Sequence, residues 1–276
     1  MDELILDEGV YAPDLGIRYP ETTDQPMLFP KKVNDIKVDE NYPYLDNSFK
    51  AKFFHYAIYA GIFLLVFPLQ KIRYGLRIKG RSNLRKNKAL LKNGAMTICN
   101  HVYRWDFLAV LQAVRYRRLW FPARADNINS KDSLLIRSVG GIPIPSTFAA
   151  FKKFYEAFDL LRAKKKWLHV FPESFRWEWY KPLRPFKIGA FTMAVKYDIP
   201  VIPMVISYRK PTGLYKLFGV KHPLLTINIG EPLVHDKTLP AKQAARQILV
   251  QTHQAMCSMA GIKQNPYPAE ETTSSL

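Results

Sequence analysis

The sequence predicts an α/β fold: a mixed, largely parallel sheet flanked by helices, preceded by an N-terminal membrane-associated helical segment. Three observations carry this reading. Seven short apolar runs recur between residues 76 and 230, stretches of helical periodicity fit between most of them, and a long apolar stretch with a one-sided basic flank comes before them all. Strands that alternate with helices imply a parallel or mixed sheet. A chain of 276 residues buries a sizeable core, and one such domain with appendages suits that length better than two full domains.

Residues 1–48 contain Pro13, Pro20, Pro26, Pro30 and Pro43 with little periodicity, which predicts an extended or partly ordered arm. The opening "MDELILDEGV" is acidic and has no basic flank leading into an apolar core, so it does not read as a signal peptide. The arm holds 11 acidic against 4 basic residues, a net −7. The rest holds 37 basic against 12 acidic, a net +25 within a total of +18. Such a body calls for an anionic partner. Nucleic acid and an anionic membrane surface satisfy that demand equally by charge.

Residues 49–74 separate the two. From Ala57 to Leu69 the chain is uncharged and largely apolar, extending back to Phe53 if His55 is tolerated, and Lys71, Arg73, Arg77, Lys79, Arg81, Arg85 and Lys86 follow at once. A spanning helix needs about 17–25 such residues, so the stretch stands at the lower limit. It spans, or it forms a hairpin or interfacial helix in one leaflet; a buried core helix is the competing reading. The basic flank suits the cytoplasmic, anionic side, and no nucleic-acid motif is recognisable. A membrane location with the catalytic domain on the cytoplasmic side is therefore expected.

Residues 75–261 form the expected domain. Its strands are "LRIKG", "AMTIC", "LWFPA", "GIPIP", "WLHVFP", "VIPMVIS" and "LLTINIG". A helix over 148–163 is expected to turn Phe148, Phe151, Tyr155, Phe158 and Leu161 toward the core. Residues 262–276 read as a polar tail. Cys99 and Cys257 cannot make a disulfide framework, and Cys99, inside a strand, reads as a small buried hydrophobe.

The chemistry concentrates in "AMTICNHVYRWDFLAV", residues 95–110. On one continuous helix a spacing of five would turn His101 and Asp106 roughly 140° apart. Here a strand ends near Cys99 and a helix begins near Asp106, so the turn folds the carboxylate back onto the imidazole. The positive end of the helix dipole favours that carboxylate. This is the geometry of a general base and its orienter. The remaining histidines show no metal-ligand spacing, so no metal is implied, and no cofactor is expected.

Three further stretches follow in order: "GGIPIP" at 140–145, "VFPESFRW" at 170–177 and "IPVIPMVIS" at 199–207. With Asn100, His101 and Asp106, then Phe171, Pro172, Glu173 and Arg176, then Val201, Ile202 and Pro203, the chain resembles the glycerolipid acyltransferase family over about residues 75–235. Its pattern is NHxxxxD, a glycine-led block ending in Arg, FPEGTRS and a V-I-P block. The resemblance implies transfer of a fatty acyl chain from acyl-CoA or an acyl carrier protein, as co-substrate, to a hydroxyl of a membrane lysophospholipid such as 1-acyl-glycerol-3-phosphate. It makes His101 and Asp106 the catalytic pair, and Asn100, Glu173, Arg176 and Lys187 the substrate-binding residues. No serine or cysteine stands beside His101 as a nucleophile, so direct transfer is expected.

Two departures bear on the acceptor. Ser146 stands where the family has an arginine assigned to the acceptor phosphate, and Ser174 and Phe175 replace the family's Gly and Thr. Arg176, Lys187 and Lys152 are the cations nearest in sequence to substitute. The alternatives are the same chemistry on a non-phosphate lipid, and a non-catalytic membrane-binding protein.

Overall fold

Each of the seven runs is a strand in the computed structural model, which describes residues 3–29, 31–115 and 117–270. After a short β1 (Ile5–Leu6) come β2 (Arg77–Lys79), β3 (Met96–Cys99), β4 (Leu119–Ala123), β5 (Gly141–Pro143), β6 (Trp167–Val170), β7 (Val201–Arg209), β8 (Leu224–Ile229) and β9 (Ile262–Gln264). Strands β2 to β8 form one sheet in the order β2-β8-β7-β3-β6-β4-β5. Only the β7–β8 pair is antiparallel, so the sheet is mixed and largely parallel as expected.

Helices cover both faces, and that is why the central strands are apolar on both sides. Met96 and Ile98 of β3 face the helices Phe148–Ala163, Gly189–Lys196 and Ala241–Ala260, while Cys99 joins the second cluster with the helix Asp106–Ala113. The buried face of the helix Phe148–Ala163 is Ala150, Phe154, Ala157, Phe158 and Leu161. The expected stripe is therefore rotated: Phe148 is 94% exposed and Tyr155 is exposed, because small Ala150 and Ala157 allow closer approach to the sheet than large rings would.

The arm has little regular structure, yet it is packed. Strand β1 pairs with β9, so the segment expected as a polar tail begins as a strand; residues 271–276, like Pro30 in the arm, lie outside the described residues. Val38, Tyr42 and Tyr44 enter the core. Residues 49–73 form one helix, Phe49–Arg73, with a π-helical turn at Ile62–Val66, rather than a hairpin. By length and composition it could cross a membrane. Ile62, Phe67 and Gln70 are buried against the domain, whereas Phe53, Tyr56, Leu64, Leu65 and Ile72 are exposed.

Candidate active site

His101 follows the last residues of β3 at the carboxyl end of the central strands, where open α/β sheets place their ligands. Four residues, Val102 to Trp105, then lead into the helix that starts at Asp106. His101 Nδ1 and Asp106 Oδ2 lie 2.5 Å apart. The same oxygen accepts from the Val102 amide at 3.1 Å, and Oδ1 accepts from the Phe107 amide at 2.7 Å. With both oxygens engaged and 1% exposure, Asp106 has no freedom to turn away. An ionised carboxylate only accepts, so Nδ1 carries the hydrogen and Nε2 keeps a lone pair. The Phe171 ring stacks on the imidazole, with centroids 4.2 Å apart and planes 12° from parallel. The His101 side chain is 22% accessible, so the ring is not sealed inside the fold.

Strand β6 lies beside β3 in parallel, which brings the Phe171–Arg176 segment against His101. Glu173 is 4% exposed, and its Oε2 accepts from the His101 amide at 2.9 Å. It also takes an N–H of Arg184 at 3.1 Å, while Oε1 accepts the Arg184 amide at 2.9 Å. The Arg184 guanidinium lies 4.5 Å from the Trp177 ring centroid and donates to the Phe175 carbonyl. The Trp177 and Trp179 amides in turn donate to the carbonyls of His101 and Val102, at 3.0 and 2.7 Å. The loop after β6 and the loop after β3 are thus laced together through main-chain groups and one buried ion pair. Ser174, at the family's Gly position, has φ +66°, a left-handed conformation that favours glycine.

The six expected site residues converge on this end of the sheet with unequal access. The Asn100 amide is closed on strand β7, donating to the Ile206 carbonyl at 3.1 Å and accepting its amide at 2.8 Å, and the residue is 2% exposed. Asn100 and Glu173 therefore present no free polar atom to a ligand and hold the His101 turn instead. Arg176 is partly exposed, 3.4 Å from Glu178 Oε1, one residue before the amide bonded to His101. Lys187 is exposed, and its amide bonds to the Pro172 carbonyl at 3.0 Å. Ser146 follows the edge strand β5, three strand spacings or roughly 14 Å across the sheet from β3.

Sequence reasoning passed over Phe171 as a ring partner, Arg184, and Arg124. Arg124 sits just after β4 at the same end of the sheet, with its guanidinium 4.6 Å from the Phe175 ring centroid. None of the three carries a sequence signal for its place here: Arg184, between Pro182 and Pro185, reads like any other arginine of a basic chain.

An imidazole held by a clamped aspartate, at the carboxyl end of a largely parallel sheet, is an arrangement chemically able to move a proton. Residues 75–207 match the family model for Acyltransferase. The match takes in the His101 turn and every strand from β2 to β6, so it is over this stretch that the chain is similar to that family. Seven solved chains are similar, among them the 1-acyl-sn-glycerophosphate (LPA) acyltransferase PlsC from Thermotoga maritima. It is 18% identical, over 79% of this chain and 84% of that one, with a TM-score of 0.48. No curated protein matches the chain.

Proposed function

We propose that the protein moves a fatty acyl chain from a thioester donor, acyl-CoA or an acyl carrier protein, directly to a lysophospholipid hydroxyl. The carrying observation is the 2.5 Å contact between His101 Nδ1 and a doubly clamped Asp106. A hydroxyl is a poor nucleophile at neutral pH. In this reading Nε2 takes the hydroxyl proton as its oxygen attacks the thioester carbonyl, and Asp106 stabilises the imidazolium that forms. The thiolate then leaves and accepts that proton, so no acyl-enzyme is formed.

The helix Phe49–Arg73 attaches the enzyme to the membrane, with the catalytic domain on the cytoplasmic side. Its docking supports an in-plane rather than a spanning arrangement. His55 Nδ1 meets the Ser138 carbonyl at 2.7 Å, and Gln70 donates to the Trp105 carbonyl at 2.9 Å, so both halves of the helix are fastened to the domain. A bilayer-crossing helix so fastened would draw the sheet into hydrocarbon, whereas an interfacial helix leaves its outer apolar face for lipid.

Purified protein assayed with acyl-CoA and acyl carrier protein donors against several lysolipids tests the reading. His101→Ala is expected to lower the rate about 10²–10⁴-fold, and Asp106→Asn nearly as much, with the thermal transition retained. Full turnover in a folded His101→Ala protein would overturn the mechanism.

A second acceptor class is favoured by one position. Ser146 supplies no charge, its Oγ lying 3.4 Å from the Val38 carbonyl, which suits a non-phosphate lipid unless Arg176 or Arg124 takes the phosphate. Losing one charge-assisted phosphate contact costs about 1.5–3 kcal/mol. In competition assays Ser146→Arg should therefore raise kcat/KM for lysophosphatidic acid relative to an uncharged lysolipid. A strong wild-type preference for the phosphate acceptor that the variant lowers would exclude the non-phosphate class.

A further inference from the structure

At the opposite end of the sheet five cations gather at one corner, and among the described residues no carboxylate lines the pocket they form. Arg117 and Arg118 lead into β4, and Lys164, Lys165 and Lys166 lead into β6; Leu119 stands opposite Trp167 in that parallel pair, so the two basic segments meet at one corner. They line a pocket of about 230 Å³, which shares Arg118, Trp120, Lys164 and Lys166 with an adjoining cavity of about 750 Å³. The Arg117 guanidinium lies 4.3 Å from the Trp167 ring centroid, and that of Arg118 lies 4.0 Å from the Trp120 centroid.

Three buried donors here have no partner among the described residues: Arg118 Nε and the indole N–H groups of Trp120 and Trp167. Trp167 is itself only 4% exposed. Burial also pushes both guanidinium groups below their ordinary range, a penalty that no neighbouring carboxylate offsets. Every unsatisfied group in the pocket is a donor. Guanidinium forks and ammonium groups around such donors match an oxyanion with several acceptor oxygens.

The position of the pocket selects the source of that oxyanion. His55 and Tyr56 of the apolar helix line the adjoining cavity, and Phe53 and Tyr56 are exposed on the same helix. An anion that enters beside them arrives with an apolar surface at hand. We propose that this pocket binds the phosphate of an anionic membrane phospholipid. Four residues of strand, about 13 Å, separate Trp167 from the Phe171 ring that packs on His101, so the site is distinct from the catalytic one. The proposal rests on the helix lying in a membrane surface and not on the acyl-transfer mechanism.

The test is sedimentation of the full chain with vesicles of phosphatidylcholine alone and of phosphatidylcholine with phosphatidic acid. Wild type is expected to gain affinity with phosphatidic acid. Arg118→Gln combined with Lys164→Gln and Lys166→Gln should lose at least tenfold of that gain, while binding to neutral vesicles and turnover in neutral detergent micelles stay unchanged. Trp167→Phe, which keeps ring and charge, should lose part of it. A control with Lys86→Gln, Lys88→Gln and Lys92→Gln, which removes the same charge elsewhere, should lose twofold or less. Equal losses in the two triple variants would mean diffuse attraction and overturn the pocket. So would an unchanged phosphatidic acid gain in the Arg118 variant, or a raised KM for acyl-CoA without a vesicle effect, which would identify a soluble phosphate as the occupant. Wild type that ignores neutral vesicles would instead overturn the membrane-surface reading, and His101→Ala tests the chemistry separately.

Discussion

Ser174 shows how one residue records a departure from a motif. The family places glycine there, and the reason is local: φ is +66°, where a side chain meets its own backbone. Ser174→Gly should therefore raise stability by about 0.5–1 kcal/mol, the relief of strain less the added freedom of the unfolded glycine chain. Thermal unfolding checks this, and a lowered transition would mean that the serine earns its place through a contact. The same scale shows what the sequence reveals about a site. His101 and Asp106 were legible because a strand-to-helix turn forces their approach. The Glu173–Arg184 pair was not, because nothing in a spacing of eleven says that two charges will share one dry pocket at 3.1 Å.

At the scale of elements, all seven strands were legible from apolar runs bounded by turn residues, whereas the buried face of the helix Phe148–Ala163 was misread. Periodicity weighs ring size, but the sheet selected Ala150 and Ala157 for proximity and left Phe148 outside. The helix Phe49–Arg73 was legible as apolar but not as docked, since Gln70 looks like any polar interruption until it meets Trp105 and accepts from Gln112 at 2.6 Å. The docking also decides how membrane attachment is best probed. Deleting residues 49–70 would strip Ile62 and Phe67 from the core, so a loss of activity would be uninformative. Leu64→Glu with Leu65→Glu alters only the exposed face, 68% and 71% accessible. The double variant should leave the thermal midpoint within about 2 °C and abolish binding to neutral vesicles. Retained binding would show that the outer face does not meet lipid.

For the whole molecule, two buried histidines set the acid limit. Burial holds His169 at about 3 and His253 at about 4, below the ordinary 6.5. As pH falls below 6.5 the unfolded chain binds two protons that the folded chain refuses, so stability is lost on acidification until those folded values are reached. Between pH 6.5 and 5, above the carboxylate range, the slope from this pair should approach about 2.5 kcal/mol per pH unit, and His253→Gln should remove about half. Urea midpoints measured across that interval check the expectation, and a flat profile would show that both imidazoles ionise inside the fold.

The acidic arm closes over the catalytic end in a particular way. The Thr23 carbonyl accepts from Arg184 at 3.5 Å, and the Gln25 carbonyl accepts the Trp177 indole at 3.0 Å. Both contributions come from the backbone, which every amino acid possesses. The letters at 23 and 25 are therefore nearly free to change, while the count of residues between them is not. One inserted or deleted residue would shift both carbonyls off their donors. A segment that looks like unconstrained loop when substitutions are scored would behave like core when its length is altered.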